Sequence, residues 1–469
     1  MEIKRLNIKL KANPKRVILR YLELSDETRI KRIISDVLSL SEDRIDKLLG
    51  DTKTEFKNRH YNLNRMLMSN FNKIKKHLPA GSNLTKSRKQ LLGAYFSMEY
   101  SIEAASLFNP SIVPHPNQSD LQDGSMRFVM SLRATGEGHI SSVEFRSGII
   151  NAAGEVQIDK VNRKTELPEI EEKQIFSKSF VVERAEVIND FNKELIDNLP
   201  ENFTTKELTS LKKQSISSVS IGALTELLLS NYNLKFNDKR SIGGRVIFPY
   251  SKNEIAGIED VRFVKFSDDG LSHYYGTYTA YNGYSIVPQI IETEDFINFQ
   301  IRTLHGNAVK NKGMALFPRK VNGKYAMITR EDSESLFIAL SDNLHVWNDS
   351  KLIHVPKEPW EYLQIGNCGS PIETTKGWLL PLHGVGPLRK YVISACLLDL
   401  NDPSKVIGWL KEPLISPDKN EREGYVPNVV YSCGSLVHND RLVIPYAMSD
   451  SFTGFALVDL EELLNELIK

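Results

Sequence analysis

The chain has 469 residues, which is long enough to bury a large core or to divide into two or three units. A formal net charge of +1, with 41% hydrophobic and 25% charged residues, excludes a disordered or fibrous chain and is typical of a globular protein. Because the first eleven residues lack the apolar run of a signal peptide and no stretch is apolar enough to span a membrane, we expect a cytoplasmic protein.

Residues 1–100 are predicted to form a separate, mostly helical extension. Ser41 can cap a helix, and apolar residues recur at spacings of three and four between Leu63 and Leu78. This region holds 22 Lys and Arg against 11 Asp and Glu, but it lacks the aromatic-interleaved basic pattern typical of nucleic-acid binding. We therefore expect no nucleic acid as a partner, and helices that pack within the chain or form a homo-oligomer.

A short strand–turn–strand pattern recurs five times after residue 100. Each copy places a polar residue in an apolar strand and reaches a turn dipeptide of a type that favours tight hairpins, after which a second strand follows. The copies begin at Phe108–Pro116, Gly257–Phe266, Asn311–Val321, Gly366–Lys376 and Val426–His438, and their turns are Asp123-Gly124, Asp269-Gly270, Asn322-Gly323, Lys376-Gly377 and Asn439-Asp440.

Repeated units of this kind predict an all-β fold, a five-bladed β-propeller, over residues 101–469. The first strand of each propeller blade lines the central channel, so one polar residue from each copy is expected at one mouth of the channel. A polar residue at a single strand end can be a simple cap, but five in matching register favour a site. They are Asn109, Asp260 beside Arg262, Lys312, Asn367 and Asn428.

Helical patterns interrupt and close this series. Between the first and second copies, the apolar spacing of residues 182–234 predicts a helical insertion from the edge of the first blade. It includes the possible capping box Thr204–Glu207, and the last eleven residues, Asp459–Lys469, predict a terminal helix.

Asp260 is the first candidate for acid catalysis at the channel mouth. The like charge of Glu259 would raise its pKa and Arg262 would lower it, so the sequence leaves its protonation open. Because neighbouring strand residues point to opposite faces, we expect only one of Glu259 and Asp260 to face the channel.

Cationic and aromatic residues on or near the inner strands suggest an anionic and a sugar ligand. An anion such as phosphate could be held by several of the cations. One or two aromatic rings could form flat walls for sugar rings, and the candidates are Tyr274, Tyr275, Tyr278, Tyr281, Trp360, Trp378 and Tyr425. Three scattered cysteines, Cys368, Cys396 and Cys433, have no metal-ligand spacing, so no metal site is expected. The cations are Arg133, Arg146, Arg262, Lys312, His383 and Arg389.

Several motifs together resemble glycoside hydrolase family 130, a family of β-mannoside phosphorylases and related β-mannosidases on a five-bladed propeller. The resemblance runs from about Asn109 to the C-terminus, outside the insertion and the first hundred residues. It is carried by GIEDVRFV, YYGTYTAYNG, NKGMALFPRKVNGKY, IGNCGSPIETTKGWLLPLHGV, LLDLNDPSKVI and EGYVPNVVYSCG.

The resemblance implies a set of roles. Asp260 falls on the proposed general acid, whose proton reaches the glycosidic oxygen by way of the 3-hydroxyl of the bound mannose. Inorganic phosphate then attacks the anomeric carbon from the opposite face, with inversion, and mannose 1-phosphate is released. Arg262, Lys312 and His383 fall on phosphate-binding positions, and no cofactor other than phosphate is implied. Asn109 and Arg133 match positions near the mannose subsite. The repeat pattern and the residue types add Glu259, Tyr278, Asn367 and Asn428 to the expected substrate-binding residues.

The chain departs from the family pattern in ways that leave alternatives open. Val261 and Gly313 replace a Pro and an Asp, and no Arg follows the turn at Gly283, where many phosphorylases have one. Arg302 or Arg146 could replace that Arg. A β-mannosidase on the same fold would instead need a carboxylate base for water, for which the candidates are Glu137, Glu144 and Glu331. A propeller that only binds a ligand is the alternative of another class.

Overall fold

The fold of the chain is mostly β. The structure is a computed structural model that describes residues 1–171, 174–185, 196–211, 218–268 and 270–469. Within these ranges no helix is long and apolar enough to cross a membrane.

The N-terminal region contains both strands and helices. Ser41 caps a helix as predicted, since its hydroxyl accepts a hydrogen bond from the amide of Arg44 at 3.4 Å. The elements are β1 (Ile3–Arg5), β2 (Leu10–Lys11), β3 (Val17–Tyr21), α1 (Glu27–Leu38), α2 (Glu42–Phe56), α3 (Leu63–Ile74), α4 (Lys86–Tyr95) and β4 (Ser97–Ser101).

The apolar face of α3 packs inside the chain. Phe71 and Ile74 are buried in one cluster with Ile34 of α1, Ile45 of α2 and Leu92 of α4. The helix predicted from the apolar spacing is therefore present, and its stripe forms a local core. Association of two copies through these helices stays a prediction.

The first sequence copy and the stretch after it form unit 1 (residues 106–150) and the insertion. Unit 1 is a three-stranded antiparallel sheet, to which β8 and β13 add at the third strand. The elements are β5 (Ser106–Pro114), β6 (Met126–Thr135), β7 (Ser141–Ile150), β8 (Val156–Ile158), β9 (Glu169–Ile170), β10 (Phe176–Ser177), α5 (Lys178–Ala185), β11 (Asn202–Phe203), α6 (Thr205–Leu211), α7 (Ser218–Leu229), β12 (Tyr232–Lys235) and β13 (Val246–Ile247).

The predicted helical insertion is confirmed in part. Thr204 caps α6, and Leu199, Leu224 and Leu228 share a buried cluster. The predicted helical residues 187, 188, 191 and 195 lie outside the described ranges. The predicted end of the insertion was wrong, because residues 232–234 belong to β12, which pairs with the strand Asn298–Thr303 of the next unit.

The other four sequence copies form units 2 to 5, defined as residues 257–303, 315–354, 364–409 and 430–459. Their neighbouring strands are antiparallel. The elements are β14 (Gly257–Asp268), β15 (Leu271–Tyr281), β16 (Ile286–Thr293) and β17 (Asn298–Thr303); β18 (Ala315–Leu316), β19 (Tyr325–Thr329), β20 (Leu336–Ser341) and β21 (Ser350–His354); β22 (Gln364–Asn367), β23 (Ile372–Thr374), β24 (Gly377–Val385), β25 (Tyr391–Leu398) and β26 (Val406–Trp409); β27 (Val430–Tyr431), β28 (Leu436–His438), β29 (Arg441–Met448), β30 (Phe452–Asp459) and the terminal α8 (Leu460–Ile468).

The hydrophobic core lies between units rather than inside one of them. Five clusters each join two units, and their order is cyclic because one of them joins unit 5 to unit 1. Representative pairs are Phe145 with Phe263 (units 1 and 2), Phe266 with Met327 (2 and 3), Phe317 with Trp378 (3 and 4), Ile393 with Ile444 (4 and 5), and Phe455 with Phe128 (5 and 1).

The first residues of the chain belong to unit 5. Strands β1 and β2 both pair with β30, through Ile3–Val458 and Leu10–Thr453 among others. The expectation that residues 1–100 form a helical extension is therefore wrong for the first eleven residues. Their alternating charged and apolar side chains suit an edge strand better than a helix.

A bulge in the first strand of a unit brings its polar residue toward one end of the sheet. The pairing of β5 with β6 and of β14 with β15 shifts register at Asn109 and Asp260, whose φ angles are 48° and 56°. Asn428 has a φ of 61° just before β27. In the remaining two copies a glycine after the polar residue is left-handed instead. Gly313 directly follows Lys312, and Gly369 lies two residues after Asn367. Asp, Asn and Gly tolerate this conformation better than other residues.

Candidate active site

A cavity of about 620 Å³ opens where these bulges meet. Residues from all five units line it, and seven of the ten predicted site residues are among them. Those seven are Asn109, Arg133, Glu259, Asp260, Arg262, Lys312 and His383.

Glu259 and Asp260 both face the cavity, so the expectation that only one would do so was wrong. The reason is the bulge, which interrupts the alternation of side chains along β14. Arg133 contacts both carboxylates, donating to Glu259 Oε1 at 2.6 Å and to Asp260 Oδ1 at 3.3 Å. Asn109 Nδ2 donates to the same Oδ1 at 2.7 Å.

The surroundings of Asp260 favour its ionised form. Burial by itself would raise the pKa of this carboxyl, but Arg133, Arg262, the hydrogen bond from Asn109 and the charge of Lys312 together lower it below its usual 3.8. Asp260 is therefore a carboxylate while the cavity holds no other anion.

Arg262 is held rigidly beside this carboxylate. Its guanidinium donates to Asn367 Oδ1 at 2.9 Å, to the Tyr431 hydroxyl at 2.6 Å and to the backbone oxygen of Asp260 at 2.8 Å. Asn367 in turn donates to the backbone oxygen of Gly313 at 2.5 Å. Asn367 thus positions Arg262 and does not line the cavity, contrary to its predicted contact with substrate.

His383 is neutral, which corrects its assignment as one of the cations. Its Nδ1 donates to the backbone oxygen of Asn367 at 3.1 Å, so Nε2 is left as an acceptor. Gln364 and Arg330 approach Nε2 at 3.2 and 3.5 Å, and both can donate to it. Burial, followed by the charges of Arg330 and Arg262, lowers the pKa of His383 well below 6.5.

Arg330 is a cation of the cavity that the sequence reasoning missed. It lines the cavity, is 7% exposed, and its Nε has no hydrogen-bond partner among the described residues. Arg330 directly follows KYAMIT, the second strand of the third sequence copy. This position in the repeat was the only feature of the sequence that could have indicated it. The two arginines proposed in its place lie elsewhere: Arg146 pairs with Glu103 and Glu144, and Arg302 contacts Asn233 and Gln300.

Asp450 is a third carboxylate of the cavity and was also missed. It lies in the turn between β29 and β30, with a φ of 49°. Burial and the charge of Asp260 raise its pKa to about 7. The dipeptide Ser449-Asp450 after the strand RLVIPYAM was the only sequence signal for this turn.

Two further predicted substrate contacts do not line the cavity. Tyr278 is 3% exposed in the apolar cluster between units 1 and 2, and its hydroxyl contacts Glu254 at 2.6 Å and Gln289 at 2.9 Å. Asn428 accepts a hydrogen bond from Arg422 Nε at 2.8 Å. Both predictions failed because a repeat pattern gives the strand position of a residue but not its hydrogen-bond partners.

The glutamates proposed as a base for water are also placed away from the cavity lining. Glu144 is fully buried and pairs with Arg16 and Arg146. Glu331 contacts Lys310 and Ser350. Glu137 lies in the β6–β7 loop, where His139 rather than Glu137 lines the cavity.

Sequence comparison gives a family match for about half of the chain. The sequence profile of glycoside hydrolase family 130, described as beta-1,4-mannooligosaccharide phosphorylase, matches residues 231–469. The match holds units 2 to 5, whereas Asn109 and Arg133 of unit 1 precede it.

Individual relatives carry similar names. A 1,2-beta-oligomannan phosphorylase of Thermoanaerobacter sp. is 37% identical over 220 residues, which are 45% of this chain and 72% of the relative. A beta-1,2-mannobiose phosphorylase of Listeria innocua is 30% identical over 230 residues, 47% of this chain and 63% of the relative. The solved structure of beta-1,2-mannobiose phosphorylase from Listeria innocua, in complex with beta-1,2-mannobiose, matches 77% of this chain and 92% of its own at 21% identity and a TM-score of 0.46.

Proposed function

Because the chain belongs to glycoside hydrolase family 130 and is an enzyme acting on β-mannosides, we propose that it is an inverting β-mannoside phosphorylase that releases mannose 1-phosphate. Its relatives are named as phosphorylases of β-mannosides with 1,2 or 1,4 linkage. The linkage and length of its own substrate are not part of this proposal.

One observation carries the proposal: a group of cations lies beside the buried carboxylate Asp260 in one cavity. Arg262, Lys312 and Arg330 all line this cavity. A phosphate dianion needs several charge-assisted hydrogen bonds, and guanidinium groups suit its geometry. In this proposal Arg330 binds phosphate in place of the Arg that follows this turn in many phosphorylases and is absent after Gly283 here.

The charges of the cavity couple phosphate binding to acid catalysis. Arg133, followed by Arg262 and Lys312, lowers the pKa of Asp260 while the cavity holds no anion. A bound phosphate neutralises part of that positive charge, so the pKa of Asp260 rises and the carboxyl can hold the proton it must deliver. Phosphate binding therefore favours the protonated form of Asp260 that acid catalysis needs.

The reaction transfers one proton to the leaving sugar and one mannosyl group to phosphate. Asp260 gives its proton, relayed by the 3-hydroxyl of mannose, to the glycosidic oxygen as the bond from that oxygen to the anomeric carbon breaks. A phosphate oxygen forms the new bond to the anomeric carbon from the opposite face. The products are mannose 1-phosphate, with inverted configuration, and the shortened sugar.

We further propose that the five units are the blades of one five-bladed propeller around this cavity. The cyclic order of the core clusters supports this arrangement. A second cavity, of about 360 Å³, is lined by later residues of the same first strands, including Val113, Val264 and Val437. The two cavities fit the opposite mouths of one central channel.

The test is product analysis with β-1,2-, β-1,3- and β-1,4-mannobiose, with and without inorganic phosphate. We expect mannose 1-phosphate from at least one of them only when phosphate is present. Free mannose formed at a phosphate-independent rate would overturn the proposal in favour of a β-mannosidase. Lys312→Ala should raise the apparent phosphate KM. The matched control Lys310→Ala should leave this KM unchanged, because Lys310 pairs with Glu331 outside the cavity lining.

A further inference from the structure

Two hairpin loops at the cavity have the same backbone conformation although their sequences differ. In the β6–β7 loop the amide of Gly136 donates to Ile140 O at 3.0 Å, and in the β24–β25 loop the amide of Gly386 donates to Lys390 O at 3.0 Å. The third and fourth residues of each loop are left-handed: Gly138 and His139 with φ of 65° and 64°, Leu388 and Arg389 with φ of 56° and 57°.

This conformation directs the fourth residue of each loop to the cavity. His139 and Arg389 both line it, from unit 1 and unit 4. In the second loop, the left-handed conformation is adopted by a leucine, which carries a steric cost that glycine does not have. Leu388 is nevertheless 95% exposed, so burial of its side chain within the chain does not compensate for that cost.

Tyr425 lines the cavity beside the first of these loops. Its hydroxyl and His139 Nδ1 are 2.7 Å apart, and the two rings lie 5.8 Å apart at an interplanar angle of 35°. Its amide donates to Ser451 Oγ at 2.7 Å. Tyr425 thus remains 48% exposed although it is fixed at both its backbone and its hydroxyl.

A fixed, half-exposed aromatic ring in a polar cavity suits the apolar face of a sugar ring. The loss of side-chain entropy on binding is small, because the hydrogen bond to His139 already restrains the ring. Aromatic rings provide large contact areas, and the tyrosine hydroxyl keeps a polar partner.

The position of this wall decides which sugar it can meet. In an inverting reaction phosphate attacks the anomeric carbon from the side opposite to the leaving sugar. Arg133, which contacts both Glu259 and Asp260, lies on β6, the strand that leads into the loop carrying His139. Lys312 lies just before unit 3 and Arg330 lies within it, and neither residue belongs to the segments that carry Tyr425 and His139.

We propose that Tyr425, held in place by His139, is the stacking wall of the subsite that binds the leaving sugar of the β-mannoside. Arg389 and the exposed Leu388 form the neighbouring edge of this subsite. The inference rests on the proposed phosphorylase function, because that function defines which sugar leaves.

The test is the reverse reaction, synthesis from mannose 1-phosphate with mannose or a β-mannobiose as the acceptor. Tyr425→Ala should raise the acceptor KM by about tenfold or more and change the KM for mannose 1-phosphate less than about twofold. Tyr425→Phe keeps the ring and should stay within about threefold of the wild type. Tyr95→Ala is the matched control, since Tyr95 is 46% exposed and does not line the cavity.

Equal effects of Tyr425→Ala on both KM values, or no effect on either, would overturn the subsite. If the wild type forms no phosphate-dependent product, the proposed function fails and the wall is tested by binding alone. Calorimetry with β-1,2- and β-1,4-mannobiose then serves as the measurement. Weaker binding of a mannobiose to Tyr425→Ala than to Tyr95→Ala would retain the wall, and equal binding would reject it.

Discussion

Asn109 Nδ2 donates a hydrogen bond of 2.7 Å to Asp260 Oδ1, and both residues have a left-handed backbone, with φ of 48° and 56°. They lie in equivalent bulges of two different units, 151 positions apart in the sequence. Asn and Asp are among the few residues that adopt this conformation at low cost. The same two side chains therefore shape the backbone and make the contact that orients the proposed acid.

Replacing Asp260 by Asn should separate chemistry from folding. Asn tolerates the left-handed conformation, so the variant should fold, with a melting temperature lowered only by the loss of the ion pair between Asp260 and Arg133. A general acid contributes about 10²- to 10⁴-fold to the rate, so kcat for phosphorolysis should fall by about this factor. Asp268→Asn on the same strand is the control, because Asp268 pairs with Lys320 outside the cavity lining. Retention of kcat in Asp260→Asn would reject Asp260 as the acid.

Arg330 should be tested against Arg302, one of the two arginines that the sequence alone suggested. Arg330→Ala removes a buried guanidinium from the cavity and should raise the apparent phosphate KM by about tenfold or more. Arg302→Ala should leave that KM unchanged, since Arg302 contacts Asn233 and Gln300 instead. Initial rates over a range of phosphate concentrations measure both. Arg330→Lys, which keeps the charge, serves as a second variant if Arg330→Ala folds poorly, and an intermediate KM is expected for it.

Asp450 should make stability depend on pH. Its pKa in the folded protein is raised from 3.8 to about 7, so between these values the folded state holds a proton that the unfolded chain has lost. Stability from this group is therefore lost as the pH rises toward about 7. Asn cannot ionise, so the melting temperature of Asp450→Asn relative to the wild type should increase between about pH 5 and pH 8. A difference that is constant with pH would contradict the raised pKa.

Arg16 connects the start of the chain to unit 1 through a buried ion cluster. It pairs with Glu103 at 2.7 Å and with Glu144 at 2.6 Å, and all three side chains are buried. Burial and the charge of Glu144 raise the pKa of Glu103 to about 8, so at neutral pH the charged partner of Arg16 is Glu144. Arg16→Met removes one of the two arginines that pair with this carboxylate and should cost about 3–5 kcal/mol in the free energy of unfolding. Arg65→Ala, which breaks an exposed pair with Glu169, should cost less than about 1 kcal/mol. Urea unfolding of both variants measures the difference, and equal costs would contradict this account.

The bulge at Asp260 explains why the sequence placed some site residues correctly and misread others. The repeat placed Asp260 and Arg262 on a first strand, and both line the cavity. Strict alternation along that strand would have separated Glu259 from Asp260, yet the extra residue of the bulge turns both toward Arg133. Side chains alternate between the two faces of a regular strand, and the extra residue of a bulge interrupts this alternation at one position.

The misassignments of His383 and Arg330 have a different origin. A histidine near an inner strand reads as a potential cation, but burial and two neighbouring guanidinium groups keep His383 neutral. Arg330 carried no motif that distinguished it from a surface arginine. Its burial and its contact with His383 arise only when units 3 and 4 pack together.

The sequence by itself determined the strand–turn–strand units, their order and the residue types at their bulges, because these depend on side-chain periodicity and on local backbone preferences. It also named the proposed acid Asp260 and four of the five Lys and Arg residues that line the cavity. Only the tertiary structure decided that β1 and β2 belong to unit 5, that Tyr278 is core, and that Arg330, Asp450 and Tyr425 face the cavity. These outcomes depend on contacts between units far apart in the chain, and side-chain burial, which sets charge and pKa, is created only by that packing.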